Sequence, residues 1–453
     1  MSGPWVRRVA FNAPLYTGLF VDARAAVRDQ FTAVQDAIES ASLPPGEWDV
    51  ARSKVRASGL QIDVDNRRGV TIMPRYIVER RLQGEQMAAV LDALGLPREL
   101  ADENLGARFV ADTIAVRQLD FGYASLLVEG EITCGECTDI KSFRAMVEGL
   151  SSQVPCWTAL VEQTRTALQD ILPEDYLLQS NSENSLPAPI VKQRDEAGAK
   201  MLWVHRIFQF RRGDPLVDEQ GEVEAVVFRY QPDDVRNLSI DDAYDCYVGV
   251  GNSLVIAGDD ADPADLDVVP RVVAMQNVYW ARLESFDVEL FHYVNELSIE
   301  VDQRNISGFD KIQALEEKSQ EIVDLLEYAE LFRSAYNDYA YHLDPQSRVL
   351  WQEIVSCWGT DNRFDAVNNK LATLEKMYDR VRGSLRSLYD SQLNTFVIFF
   401  TLFGLMSVAV DMIGFVQEGS FRGVDYLRIG ILGMMLVGLS LVGWKLLGRR
   451  TPL

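Results

Sequence analysis

The sequence has few of the residues that enzymes and disulfide-rich proteins depend on. It contains only three histidines, His205, His292 and His342, and none of them lies in an HExxH pattern. Its single CxxC pair, Cys134 and Cys137, has no second pair to complete a structural zinc site. No Walker A sequence is present either. We therefore expect no enzymatic activity and no resident cofactor.

Basic residues are also scarce. The chain has 44 Lys and Arg against 67 Asp and Glu, a formal net charge of -23. Nucleic-acid binding needs clustered basic residues, so the balance argues against that class and favours cations as partners. The first residues contain no uninterrupted apolar segment of the secretory type, and five cysteines in a cytoplasmic setting do not predict a disulfide framework.

Two long apolar runs stand near the end of the chain. Residues 394–410 and 429–444 contain no charged side chain, and with their flanks each reaches the length of roughly 20 residues that a helix needs to cross a bilayer. The short polar connector between them permits only a hairpin. We therefore predict a transmembrane hairpin over residues 393–448, with helices at 393–416 and 427–448.

Cations flank this hairpin on one side. They are Arg380, Arg382 and Arg386 before the first run and Lys445, Arg449 and Arg450 after the second, whereas the connector carries only Arg422. By the positive-inside rule, both termini are cytoplasmic, including a basic tail at residues 449–453. The expected location is the inner, cytoplasmic membrane, with a multi-pass topology.

The residues before the hairpin divide into two blocks. Residues 1–265 alternate β-like runs (113–118, 124–132, 201–210, 224–230 and 244–257) with helical stretches (82–94 and 140–172), which predicts a cytoplasmic α/β domain. Within it, residues 180–189 read as an exposed loop and residues 249–252 as a hairpin turn. Residues 266–392 are predicted to form a helical stalk and helical hairpin, with Gly308 as a break.

The last helix of the stalk has the clearest pattern. Its apolar residues follow heptad spacing without a miss from Phe364 to Leu388, which predicts packing against other helices. No proline or charge cluster separates it from the first apolar run. We expect one continuous helix from about residue 361 to 416, roughly 80 Å long.

This arrangement resembles the CorA superfamily of divalent-cation channels and ZntB transporters. A cytoplasmic α/β domain, antiparallel helices, a long stalk helix, two membrane helices and a basic tail occur in the same order. Asn394 matches the family's asparagine at the head of the first membrane helix, whereas the Gly-Met-Asn signature is absent: one register places Glu418, Gly419 and Ser420 there, and a shorter one residues 411–415. The resemblance implies a homopentamer whose first membrane helices line a pore.

A helical wheel identifies candidate pore-lining residues independently of the family. At about 100° per residue, small and polar side chains of the first membrane helix share about a third of its circumference. They are Asp390, Asn394, Val397, Thr401, Gly404, Val408 and Asp411. Copies of Asp411 in a ring would favour cations, or the carboxylate simply reaches water at the outer interface. Asn394 and Thr401 line the pore or hydrogen-bond between helices.

Acidic residues crowd the second stalk helix and offer a possible regulatory site. Glu316, Glu317, Glu321 and Asp324 could hold Mg2+ or another divalent cation between subunits, although a solvated acidic face explains the same pattern. A further acidic run at residues 259–267 reads as a solvated turn before a helix.

The sequence thus predicts a homo-oligomeric cation channel or transporter, gated by its cytoplasmic domain, with membrane lipid and divalent cations as partners. Two alternatives stay open. One is a membrane-disrupting effector on the same scaffold, opened by a ligand or partner of the N-terminal domain. The other is a membrane-anchored scaffold that conducts nothing.

Overall fold

A computed structural model describes residues 7–21, 32–50, 77–102, 106–134, 139–173, 177, 198–217, 244–258, 268–302, 309–343 and 345–418. These residues belong to two compact units, the first drawn from residues 1–303 and 320–376 and the second from 304–319 and 377–453. The predicted loop at 180–189, the strand at 224–230, the second apolar run and the basic tail lie outside the described residues.

The first unit is built on a ten-stranded mixed sheet. Its strands are β1 (Arg7–Phe20), β2 (Glu47–Val50), β3 (Val78–Gln83), β4 (Glu99–Asp102), β5 (Ala107–Gln118), β6 (Phe121–Cys134), β7 (Lys200–Met201), β8 (His205–Arg211), β9 (Tyr244–Val248) and β10 (Asn252–Ala257). The order is β2-β3-β5-β6-β1-β8-β10-β9, with β4 beside β5 and β7 beside β1. Among the described strands, only β8 and β10 pair in parallel, and the other neighbours are antiparallel.

The long central strands approach each other closely at one glycine. A Cβ on Gly130 of β6 would lie 2.2 Å from the carbonyl oxygen of Val110 on β5, so no larger residue fits there without a backbone shift. The neighbouring register shift on β5, between Ala111 and Thr113, marks the same irregularity in the ladder.

One face of the sheet is apolar and covered by helices. These are α2 (Gly84–Leu94), α3 (Ile140–Ser151) and α4 (Thr158–Ile171), while α1 (Thr32–Ser40) packs near β2. Because strand side chains alternate between faces, residues such as Phe11 and Phe109 point into this layer. They are buried together with Phe143 and Trp157 in the main hydrophobic core.

The opposite face is unusually polar beneath α5 (Val268–Asp302). Asn277 Nδ2 of this helix donates to Asn12 Oδ1 on β1 (2.8 Å), and Asn12 Nδ2 donates to Ser125 Oγ on β6 (3.0 Å). Farther along the sheet, His205 Nε2 lies 2.8 Å from Ser253 Oγ. All five side chains are buried, so hydrogen bonds offset the cost of removing them from water.

Helix α5 joins a helical layer with α6 (Phe309–His342) and α7 (Pro345–Trp358). Aromatic rings hold the part of this layer in the first unit together. Tyr279 of α5 lies with its ring centroid 5.3 Å from that of Tyr336 and 5.8 Å from that of Tyr339 on α6, and Trp351 of α7 lies 4.7 Å from Tyr339.

The last described helix, α8 (Thr360–Glu418), is unbroken over 59 residues. The predicted continuous helix over 361–416 is therefore confirmed, since α8 covers all of these residues. In the first unit, Lys370 Nζ bonds Asp287 Oδ1 of α5 (2.6 Å), and the ring of Phe364 lies 4.6 Å from that of Tyr336. In the second, Tyr389 Oη donates to Glu316 Oε1 of α6 (2.5 Å).

Four of the eight heptad positions of α8 are buried without any second chain, and the other four are half-buried. Val367, Leu374 and Val381 are each at most 3% exposed, and Leu385 is also buried. The predicted helix-on-helix packing is thus present within one chain. A ring of subunits would have to use other faces of α8.

Several local predictions need correction. The helix predicted from residue 82 begins at Gly84, because Leu82 belongs to β3. The helix predicted over 140–172 is divided at Val154–Trp157, a 3-10 turn with Pro155 near its start, where the missing N–H interrupts α-helical bonding. The strand predicted over 201–210 is split into β7 and β8.

Another local prediction is confirmed. The hairpin turn separates β9 from β10, with Gly249 N donating to Asn252 O (2.9 Å). The predicted break at Gly308 lies outside the described residues, between α5 and α6.

Candidate functional site

The predicted pore-lining residues lie on α8, where helical geometry places them on one arc. Asp390, Asn394, Val397 and Gly404 are exposed, and Thr401 and Val408 are half-buried. Asp411 also lies within the helix, but its side chain is outside the described residues, as is that of Glu418. Gly419 and Ser420, the other residues at the signature position, follow the described chain.

The polar side chains of Thr401 and Asn394 differ in their hydrogen bonding. Thr401 Oγ1 donates to the carbonyl oxygen of Val397 (2.6 Å), so its proton is used within the helix while its oxygen can still accept. Among the described residues, the Asn394 amide has no hydrogen-bond partner. In an apolar environment that amide needs a partner from another molecule or from water.

Large apolar side chains cover the rest of the same helix. Phe396, Phe399, Phe400 and Phe403 fall within about 100° of one another on the wheel, outside the polar arc. Each is more than half exposed, and the rings of Phe399 and Phe403 lie 5.0 Å apart. In the described part of the chain this is the one helix long and apolar enough to cross a bilayer, and none of its most apolar stretch is buried.

The four acidic residues predicted to bind a divalent cation lie along α6, each with a local partner. Glu316 accepts from Tyr389 and Glu321 from Tyr293, while Glu317 and Asp324 accept from glutamines four residues earlier. Within the described chain, no three His, Cys, Asp or Glu residues come together as a metal site. Binding between subunits stays a prediction.

A charged cavity opens at the β2 end of the polar sheet face, in the first unit. Its volume is about 330 Å3, and it is bounded by β2, β3 and β5 on the sheet and by α5 and α6. Met275 and Tyr339 form an apolar wall. The charged residues lining it are Glu47, Asp49, Glu79, Arg81, Arg117 and Arg271.

Glu79 organises the floor of this cavity. Its carboxylate lies 2.5 Å from Arg117 Nε and 3.2 Å from an Nη atom of Arg81. Burial opposes ionisation of Glu79, but Arg117, Arg81 and Arg271 outweigh it and hold the pKa of that carboxyl below its usual value. The floor therefore keeps its charges at neutral pH, while Glu47, Asp49 and Arg271 stand exposed at the rim.

The cavity wall is continuous with the residues that hold the start of α8. Gln276, next to the lining residue Met275, donates from Nε2 to Thr360 Oγ1 at the first position of α8 (3.0 Å). Tyr336, one turn before the lining tyrosine of α6, packs on Phe364 of α8. A shift of α5 or α6 at the cavity would therefore move residues that contact the start of α8.

Comparisons of the chain with protein-family models, with curated proteins and with solved structures found no match in any of the three.

Sequence reasoning identified the arc on α8 but missed the cavity. Its lining residues come from three strands and two helices that are distant along the chain. The only local signal is the alternation of charged and apolar residues in β2, which places Glu47 and Asp49 on one face of the sheet, as the same spacing does for Glu79 and Arg81 in β3. Such alternation ordinarily marks a solvent-facing strand.

Proposed function

We propose that this protein is a homo-oligomeric membrane channel or transporter for cations, divalent cations in particular, in which α8 crosses the bilayer and turns its polar arc toward the pore. One observation carries the proposal: an unburied apolar helix that has a single arc of small and polar residues. The sheet domain at the other end of the same helix would gate it.

The apolar surface of α8 is the first support for this proposal. Exposed phenylalanines in a continuous stretch are unfavourable in water and mark a surface meant for lipid or protein. A core helix of a soluble protein would be buried, and a secretory signal would lie near the N-terminus; this helix is neither. A bilayer core of about 30 Å requires roughly 20 residues, which the stretch from 393 to the end of α8 supplies.

The polar arc of α8 is the second support for this proposal. Polar residues facing lipid are unfavourable, so several copies of α8 would place their arcs together around water. Between Arg386 and Arg422 the sequence contains Asp390, Asp411 and Glu418 and no basic residue. Rings of carboxylates without opposing cations favour the passage of cations over anions.

The order of parts supports a CorA-like form of this channel. The sheet domain, the helical layer and the long helix follow one another as expected for such a protein, and the second apolar run would complete a hairpin with both termini in the cytoplasm. A homopentamer is the subunit number that this resemblance implies. The acidic face of α6 is the proposed place for regulatory Mg2+.

A second candidate is a gated, membrane-disrupting effector on the same scaffold. The charged cavity favours it, because a cavity of this kind gives the domain a place to receive a signal. The two candidates differ in the consequence of opening: a transporter supports growth at low Mg2+, whereas an effector arrests growth when it is activated.

Flux measurements test the proposal. The full chain would be reconstituted in liposomes loaded with a Mg2+-sensitive dye, and influx would be compared between the wild type and Val397→Lys, which adds a positive charge to the arc. We expect influx in the wild type and a loss of at least tenfold in the variant. Phe399→Lys, off the arc, would be the control for insertion and assembly. Absence of flux in correctly inserted wild-type protein would contradict the proposal.

A further inference from the structure

The charged cavity is lined by groups of both signs, and this limits what it can bind. Three carboxylates and three guanidinium groups line it, so their formal charges cancel. A polyanion such as a nucleoside triphosphate would meet Glu47 and Asp49 at the rim, and a bare metal ion would meet the arginines. A ligand with one charge of each sign suits the lining better than either.

Two of the carboxylates, Glu47 and Asp49, lie two residues apart on one face of β2 and are exposed at the rim. Glu47 lies opposite Arg81 and Asp49 lies opposite Glu79. Glu79 is already paired with Arg117 and Arg81, so the carboxylates that would attract a ligand cation are Glu47 and Asp49 at the rim. Arg81 and Arg271 stand at other points of the lining, and a guanidinium has five N–H donors, more than one carboxylate can accept.

An apolar wall completes the site. Met275 is 2% exposed and Tyr339 3% exposed, and both are fixed by the packing of α5 and α6. They would contact the carbon skeleton between the charged ends of a ligand. The volume of about 330 Å3 lies at the lower end of the range for small-molecule sites.

We propose that this cavity binds a zwitterionic small molecule of the amino-acid or dipeptide class. The ligand carboxylate would pair with Arg81 and Arg271, since planar guanidinium groups match carboxylates in shape and charge. The ligand ammonium would lie by Asp49 and Glu47. Glu79 would hold Arg81 and Arg117 in place and is a positioning residue.

Binding there would act on α8 through α5 and α6, and this part of the inference rests on the proposed function. The ligand would touch Met275 and Tyr339, whose neighbours Gln276 and Tyr336 hold Thr360 and Phe364 of α8. A ligand that binds one arrangement of these helices better than another shifts the population toward it.

Thermal unfolding of the full chain in detergent tests binding separately from conduction. The probes are the amino acids with uncharged side chains and a set of dipeptides built from them. Each is compared with its N-acetyl form, which keeps only the negative charge, and with its amide, which keeps only the positive charge. We expect at least one zwitterion to raise Tm by about 3 °C at a hundredfold excess over its Kd, and the blocked forms to raise it far less.

Variants of cavity residues test whether the Tm shift comes from binding in the cavity. Glu47→Gln at the rim should remove the Tm shift without changing Tm in the absence of ligand, and Arg81→Gln should also remove it. Glu85→Gln, an exposed residue of α2 outside the cavity, should leave it unchanged. Failure of every zwitterion on the wild type, equal shifts from an N-acetyl form, or a shift that persists in both cavity variants would overturn the proposal. Binding without any flux would leave the site intact and reject the channel.

Discussion

Removing Glu289 should destabilise the protein strongly, because it would leave a buried guanidinium without its counter-ion. Arg282 and Glu289 of α5 are 1% and 3% exposed, and two nitrogens of Arg282 lie 2.7 and 3.1 Å from the carboxylate oxygens. Burial works against the charge on Arg282, but the neighbouring carboxylate outweighs burial and raises the pKa of Arg282 above its usual value. Glu289→Ala removes that support, but an arginine guanidinium is too basic to lose its proton in a protein, so Arg282 stays charged.

The size of the loss follows from the surroundings of Arg282. Removing one partner of a buried ion pair costs about 3–5 kcal/mol. Some compensation remains, since Arg282 Nε donates to Tyr328 Oη (3.1 Å) and the guanidinium lies 5.1 Å from the ring centre of Phe286. We expect Glu289→Ala to lower the free energy of unfolding by about 3–4 kcal/mol.

The same helix provides a matched control. Glu284 pairs with Arg363 at 3.5 Å, but both side chains are about two-fifths exposed. Exposed pairs contribute at most about 1 kcal/mol, so Glu284→Ala should have little effect. Urea denaturation of the full chain in detergent, followed by tryptophan fluorescence, measures both. Equal losses in the two variants, or a loss below about 1 kcal/mol for Glu289→Ala, would refute this reasoning.

Three further predictions concern pH, packing and assembly. Burial, followed by the charge of Arg206, lowers the pKa of His205 from 6.5 to about 3, so the unfolded chain takes up a proton first as pH falls. The free energy of unfolding should be unaffected by His205 above pH 6.5 and should fall by about 2 kcal/mol by pH 5. Denaturation at several pH values measures this pH dependence. It should be weaker in His205→Gln and unchanged in the exposed His292→Gln. Leu374→Asp places a charge at a fully buried position of α8 and should lower the urea midpoint sharply, whereas Ala372→Asp on the exposed side should not. Native mass spectrometry of detergent-solubilised protein should reveal an oligomer, and a monomer as the only species would contradict the assembly.

Periodic segments were predictable from the sequence because local spacing fixes them. The start of α8 was placed within one residue by Gly359 and the heptad pattern, and the hairpin of β9 and β10 by its glycines. Neither depends on distant contacts. The same reasoning identified the polar arc, since a helical wheel needs only the spacing of residues on one helix.

Other elements could not be predicted because distant neighbours decide them. Strand β1 contains Pro14 and Gly18 and is buried on both faces, so it has no alternation of apolar and polar residues. Strand β2 has four residues and is held by its pairing with β3. The cavity depends on strand order and on where α5 and α6 cross the sheet, which is tertiary information.

The most direct test of the channel is the reversal potential of the reconstituted protein under a salt gradient. If α8 lines a cation pore, wild-type currents should reverse close to the cation equilibrium potential. Asp411→Asn should move the reversal potential toward zero while the assembly stays intact, because it removes a ring of negative charge. Absence of current, or equal conductances and reversal potentials in both proteins shown to be the same oligomer, would contradict a pore in which Asp411 selects cations.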